Sequence, residues 1–326
     1  MANNHYSFKT KILLRNKFVQ TVLGSIVSEN IDLPERNLHK VLVDQKATLM
    51  LFELPSSNSD AAVILLTHGM GGCSESGYMR RIARKLWVRG FTVFMMNQRG
   101  SGLGMGLSDR LWNGGSSDDL DKVINYIVKL YPGNSIDLVG FSLSGNILLK
   151  YLGEKRTRVT KIRKAFAVNP PIDLKRASHI LSKTKEGVLF NSYYMRQVHL
   201  QIEAMTECFP DTFIPFVKSK TILEFDEAYT APAAGYKDAD DYYSKCSAKN
   251  YLEDITVPTT ILCAMDDPFI EASIFKSVRM SSAIELNTPQ WGGHMGYFSR
   301  ALTPWGDHRW MDFMVVDWTE DRGSEE

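Results

Sequence analysis

The stretch Ile136-Asp-Leu-Val-Gly-Phe-Ser142-Leu-Ser-Gly-Asn-Ile-Leu-Leu-Lys-Tyr-Leu-Gly153 decides the fold. Ile136 to Val139 is short, mostly apolar and partly β-branched, the pattern of a buried strand. Asn146 to Leu152 repeats apolar residues at helical spacing, and Gly153 stands where that helix would stop. Between them, Gly140-Phe-Ser142-Leu-Ser144 turns strand into helix within a few residues. A serine at such a turn is held in a strained backbone, with its hydroxyl lifted clear of the sheet edge. The residues two places to either side must be small, because the turn brings backbones together. Gly140 meets this fully, and Ser144 stands where G-x-S-x-G has its second glycine. By itself the stretch also suits a Gly/Ser turn in any doubly wound sheet, so the rest of the chain must decide.

Working outward, strands and helices alternate. Ala61 to Thr67 predicts a buried strand ending in His68-Gly-Met-Gly-Gly72. A helix with Met79, Ile82, Ala83 and Leu86 on its inner face follows, closed by Gly90. Phe91 to Met96 is the next strand, Asp118 to Leu130 a helix with acidic residues at its positive end, and Ala165 to Val168 a strand leading to Asn169-Pro-Pro171. This rhythm predicts an α/β fold: a mostly parallel central sheet with helices on both faces. On such sheets ligands bind beyond the carboxyl ends of the strands, where His68-Gly-Met-Gly-Gly72, Asn97-Gln-Arg-Gly100 and Ser142 fall. The rhythm breaks after Pro171. Residues 172–251 read as helices and loops rich in aromatics (Phe190, Tyr193, Tyr194, Phe209, Phe213, Phe216), an inserted helical cap. It resumes at Thr259 to Ala264 and Ala283 to Leu286 and ends in a helix near Trp305 to Trp318. The expected organisation is one domain over 1–326: core 40–171 and 252–326, cap about 172–251, and an N-terminal extension 1–39 with a helix, before strand-like Val41 to Val43 and Thr48 to Phe52.

Composition narrows the function. The 326 residues carry a net charge of +1, which argues against a nucleic-acid binder working through bulk charge. Hydrophobic residues make up 44% and charged residues 23%, enough for a packed core. Cys73, Cys208, Cys246 and Cys263 are far apart with no C-x-x-C pair, so free thiols in a reducing, cytoplasmic setting are expected, and no metal site. Apolar runs are strand-length, too short for stable membrane insertion. Phe18 to Val27 follows basic residues but lacks the clean apolar core and small-residue cleavage site of a signal peptide. Gly100, Gly102, Gly104 and Gly106 do not make G-x-G-x-x-G, and no phosphate loop occurs, so no nucleotide cofactor is expected. The sequence leaves oligomeric state open.

A serine hydroxyl becomes a useful nucleophile when a histidine takes its proton and a carboxylate orients that histidine. On the α/β-hydrolase topology the order is Ser, then Asp or Glu, then His. Asp266 and Asp267 both follow the strand at Thr259. Asp267 opens Asp-Pro-x-aliphatic and is preferred as the acid, although both could cap a following helix. His294 and His308 lie downstream. His294, in Trp291-Gly-Gly-His-Met-Gly296 after the Ala283 strand, is the candidate base, whereas His308 reads as a surface or capping residue. Two backbone amides should form the oxyanion hole, those of Leu143 and Met70. His68 is expected to order its loop.

These residues, with Leu14-Arg-Asn-Lys-Phe-Val-Gln-Thr-Val22, Glu224-Phe-Asp226 to Thr230-Ala-Pro232 and Asp240-Asp-Tyr-Tyr243, resemble the YheT-like branch of the α/β-hydrolases along nearly the whole chain. That branch includes the mammalian abhydrolase-domain lipases and esterases. The resemblance implies a serine hydrolase acting on carboxylic esters, with short- to medium-chain acyl esters as the substrate expectation. A lipid-active lipase or phospholipase, or a thioesterase or acyltransferase, could use the same site. A non-catalytic ligand-binding module on a hydrolase fold is the rival from another class.

Overall fold

A computed structural model describes residues 8–26, 31–156, 161–212 and 218–320. Val27, Phe213 and Phe216 lie outside the described residues. The chain opens with helix α1 (Lys17–Ile26) and a hairpin of β1 (Asn37–Asp44) and β2 (Ala47–Leu54). Then come β3 (Val63–Thr67), α2 (Gly77–Val88), β4 (Thr92–Asn97), α3 (Ser117–Leu130), β5 (Ile136–Phe141), α4 (Leu143–Gly153) and β6 (Ile162–Val168). Helices α5 (Leu174–Lys183), α6 (Lys185–Cys208), α7 (Ile222–Phe225), α8 (Ala231–Ala233) and α9 (Ala239–Cys246) follow. The chain closes with β7 (Thr259–Leu262), β8 (Ile284–Asn287) and α10 (Trp310–Glu320).

The eight strands form one sheet in the order β1-β2-β4-β3-β5-β6-β7-β8. β2 pairs antiparallel with β1 and β4, and every other neighbour pair is parallel. Strands β3, β4 and β5 are buried along their whole length, as expected of a parallel sheet covered on both faces. One face packs on α3 and α4 through Leu120, Val123, Ile124, Ile147 and Leu148. The other packs on α2 and α10 through Met79, Ile82, Leu86, Met311 and Phe313. Within this second layer Arg81 Nε donates to Asp312 Oδ2 at 2.7 Å. The carboxyl ends of β3 and β5 are held side by side by the register Thr67 opposite Gly140, and this sets the shelf on which the candidate site is built.

Two local expectations shift. The hairpin strands are longer than their apolar cores because polar edge residues also pair: His39 Nε2 lies 2.9 Å from Glu53 Oε2. The last helix begins at Trp310, later than the aromatic pattern predicts. Thr303 Oγ1 donates to Asp307 Oδ1 at 2.8 Å, and that oxygen also accepts from Arg309 N at 2.9 Å. Residues 303–309 are thereby held in a turn that precedes the helix. No helix among the described residues is long and apolar enough to cross a membrane.

Candidate active site

Ser142 follows β5 directly and has φ 51° and ψ −121°. A non-glycine residue in this left-handed region costs on the order of 1–3 kcal/mol and persists only when its surroundings enforce it. Here the enforcement is steric and polar. A Cβ on residue 140 would lie 2.7 Å from the Ser144 carbonyl oxygen, so only glycine fits where the turn folds back. Ser144, the departure from the usual second glycine, is fully accommodated. Its buried hydroxyl donates to the His68 carbonyl and accepts from Gln98 Nε2 at 3.0 Å, tying the turn to the ends of β3 and β4. His68 is also buried. Its Nδ1 donates to Gly69 O at 2.8 Å and its Nε2 accepts from Gln98 N at 3.1 Å. Burial holds this imidazole down at about 4, so it is neutral at physiological pH.

The three residues singled out for proton transfer are brought together. Ser142 Oγ lies 2.9 Å from His294 Nε2, and His294 Nδ1 lies 2.7 Å from Asp267 Oδ2. The two aspartates occupy different positions. Asp267 faces the imidazole, whereas Asp266 Oδ1 accepts from Gly293 N at 2.8 Å. His308, which contacts the Ala301 carbonyl at 3.3 Å, takes no part. Asp267 is fixed from its other side too, since its Oδ1 accepts from Phe269 N at 2.8 Å and Ile270 N at 3.0 Å. Phe269 in turn sets its ring edge-on to the imidazole, 4.9 Å between centroids.

Met70 and Leu143 line the same cavity as Ser142 and His294. Among the described residues neither of their backbone amides donates a hydrogen bond, so both remain available to an incoming oxygen. The cavity wall is largely apolar, with Leu111, Leu181, Val198, Ile222 and Phe225 contributed mostly by the helical segment between β6 and β7.

Four positioning residues escape the sequence reading. Asn169, at φ 45°, donates through Nδ2 to Asp267 Oδ2 at 2.6 Å, and its Oδ1 accepts from the Tyr297 hydroxyl at 2.7 Å. Thr21 Oγ1 accepts from the His294 backbone N at 2.9 Å. Gln20 is fully buried, and its Oε1 accepts from Phe298 N at 2.8 Å while its Nε2 donates to Thr10 Oγ1 at 3.0 Å. Helix α1 therefore clasps the histidine loop. The clasp is so close that a Cβ on residue 296 would lie 2.2 Å from the Gln20 carbonyl oxygen. Asn is the residue most tolerant of φ above zero after glycine, and Asn169-Pro-Pro at a strand end carries that hint. The α1 residues carry a different one, two polar side chains amid apolar neighbours inside a quoted motif. Among the described residues, the non-glycine residues with positive φ are Ser142, Asn169, Met295 and Tyr297, and all four belong to this site.

Comparison with known proteins agrees with the fold. The family model for the alpha/beta hydrolase fold matches residues 62–202. A monoacylglycerol lipase of Saccharomyces cerevisiae is 31% identical over 75% of this chain, which spans 57% of that relative's length. Mouse phospholipase ABHD3 is 26% identical over 89% of this chain and 67% of its own. The YheT protein of Escherichia coli is 26% identical over 82% of this chain and 78% of its own. Among solved structures, the Pyrococcus furiosus esterase Pf2001 superposes with a TM-score of 0.57, covering 87% of this chain and 91% of its own. At 14% identity that likeness concerns the fold.

Proposed function

We propose that this chain, an α/β-hydrolase with relatives in the YheT-like branch, is a serine carboxylesterase that works through an acyl-enzyme. The observation that carries the reading is the continuous relay from Ser142 Oγ through His294 to Asp267, at 2.9 Å and 2.7 Å. In the proposed cycle His294 Nε2 takes the Ser142 proton as Oγ attacks the ester carbonyl. Asp267 holds the Nδ1–H tautomer and balances the imidazolium that forms. The Met70 and Leu143 amides receive the negative oxygen of the tetrahedral intermediate. His294 then gives its proton to the leaving alcohol, and a water activated by the same imidazole releases the acid and restores Ser142.

The reading takes residues 172–251 as a cap over the sheet, since α5, α6 and α7 supply much of the cavity wall. Short- to medium-chain acyl esters are the proposed substrates, and the cytoplasm the proposed location, supported by the four scattered cysteines. A lipid ester is the second reading, favoured by the monoacylglycerol lipase and phospholipase among the relatives.

The test is labelling by a fluorophosphonate, with the adduct located by mass spectrometry and a p-nitrophenyl ester chain-length series alongside. The expected result is a label on Ser142 that disappears in His294→Ala, with a rate maximum at short to medium acyl length. A maximum at long chains, rising sharply above the micelle concentration, would favour the lipid reading. No label on the folded protein would overturn both.

A further inference from the structure

The segment Glu224-Phe-Asp226 to Thr230-Ala-Pro232 belongs to the motifs that mark this chain, yet the relay leaves it without a role. Asp226 opens a π-helical turn running to Thr230, a rare geometry that recurs at functional sites. Its side chain lines the cavity that holds Ser142 and His294, and the residue is 7% exposed. Among the described residues no cation pairs with it. Its partners are hydroxyls: Tyr243 donates to Oδ2 at 2.8 Å and Ser178 at 3.3 Å, and Thr230 also bonds the carboxyl. Ser178, Thr230 and Tyr243 line the same cavity. Burial pushes the Asp226 carboxyl up to about 6, so it is ionised at neutral pH at a cost to the fold. An asparagine could tie α5 to α9 through the same hydroxyls without burying a charge. A carboxylate is what a site needs in order to accept a strong hydrogen bond from a ligand hydroxyl.

We propose that Asp226, with Ser178, Thr230 and Tyr243, forms a subsite in the cavity wall that binds a free hydroxyl group carried by the substrate. The inference deepens the esterase reading and rests on it for the ligand being an ester. The hydroxyl could sit on the alcohol, as in a partial ester of a polyol, or on the acyl chain.

The test measures binding and turnover separately. Binding is followed by calorimetry with non-hydrolysable ethers: glycerol monodecyl ether, ω-hydroxydecyl methyl ether and decyl methyl ether. One of the hydroxylated ethers is expected to bind about tenfold to a hundredfold more tightly than the plain one. Which of the two gains shows whether the hydroxyl comes from the alcohol or the acyl side. Asp226→Asn is expected to remove most of that gain. Tyr243→Phe, which strips one phenol from the same carboxyl, serves if Asp226→Asn fails to fold. Equal binding of all three ethers, or a gain that survives in both variants, would overturn the subsite. Turnover of glycerol monodecanoate and methyl decanoate by the unaltered protein tests the esterase reading alone. A retained binding gain without turnover would leave the subsite standing and sink the reaction.

Discussion

Ser142 and His294 meet at 2.9 Å, but the two sides of that contact are built in different ways. The serine side is a product of the sheet. Strands β3, β4 and β5 end in register, and His68, Gln98 and Ser144 stitch their last residues together within one buried cluster. The histidine side is an assembly of distant pieces. Thr21 lies 273 residues from the loop it supports, Asn169 comes from the end of β6, and Asp267 from the turn after β7. A nucleophile carried on a ladder is displaced only by damaging the ladder. A base held by a few polar side chains can be displaced one hydrogen bond at a time. Damage to the serine side should therefore appear as lost stability, and damage to the histidine side as lost turnover in a folded protein.

The largest effect is expected where the two sides meet. Ser142→Ala should lower kcat at least about a thousandfold, because the members of such a relay act as a unit. It should also relieve little backbone strain, since alanine inherits the positive φ. Steady-state kinetics on a p-nitrophenyl ester, with a melting curve as control, checks both. Retention of turnover would place the nucleophile elsewhere and dissolve the comparison.

The serine side should next betray itself through pH. His68 is neutral when folded, held at about 4, while an unfolded histidine takes up its proton near 6.5. Its contribution is fully present above about pH 6.5 and is lost as pH falls toward about 4, by up to about 3 kcal/mol. His68→Gln should be less stable than the parent near pH 7.5, and the gap should narrow near pH 4.5. Urea unfolding of both proteins at the two pH values measures this. A gap independent of pH would mean that the buried imidazole does not carry the acid sensitivity of the shelf.

The same contrast explains what could be read in the sequence. The sheet, the turn at Ser142 and the order Ser142, Asp267, His294 were legible because each rests on local grammar: β-branched apolar runs, small residues around a turn, a glycine-rich loop after a late strand. The clasp by α1 was not. Phe18, Val19, Val22 and Ile26 form the apolar stripe that would ordinarily mark a buried face. Yet Val22 is 41% exposed and Ile26 65%, while Gln20 is fully buried. Polar satisfaction of the histidine loop outweighs apolar burial there, and no period in the sequence announces a partner almost three hundred residues away. Asn169 escaped for a related reason: its value lies in a backbone angle and two side-chain bonds that only the folded ends of β6 and β7 define.

On the histidine side, Asn169→Gly preserves the positive φ while deleting the amide that donates to Asp267 and accepts from Tyr297. Apart from the imidazole itself, the carboxylate then keeps only its bonds to Phe269 N and Ile270 N, so the imidazole loses part of its orientation. A fall in kcat of about 10- to 100-fold with KM nearly constant is expected, the scale on which small misplacement of a reacting group is felt. A change confined to KM would assign Asn169 to substrate binding.

Thr21→Val gives the smallest and most discriminating effect. Valine matches threonine in shape, so the docking of α1 survives. The His294 N–H, buried and bonded to Thr21 Oγ1 at 2.9 Å, loses its acceptor. An unmet buried donor costs on the order of 1–3 kcal/mol, and the loop can escape part of that cost by moving, which carries the imidazole away from Ser142. We expect kcat and the rate of fluorophosphonate labelling to fall together by about three- to tenfold. The melting temperature should shift little, and Thr21→Ser, which restores the hydroxyl, should recover both rates. If Thr21→Val loses stability with its labelling rate intact, helix α1 is a structural strap, and the histidine side is held as rigidly as the serine side.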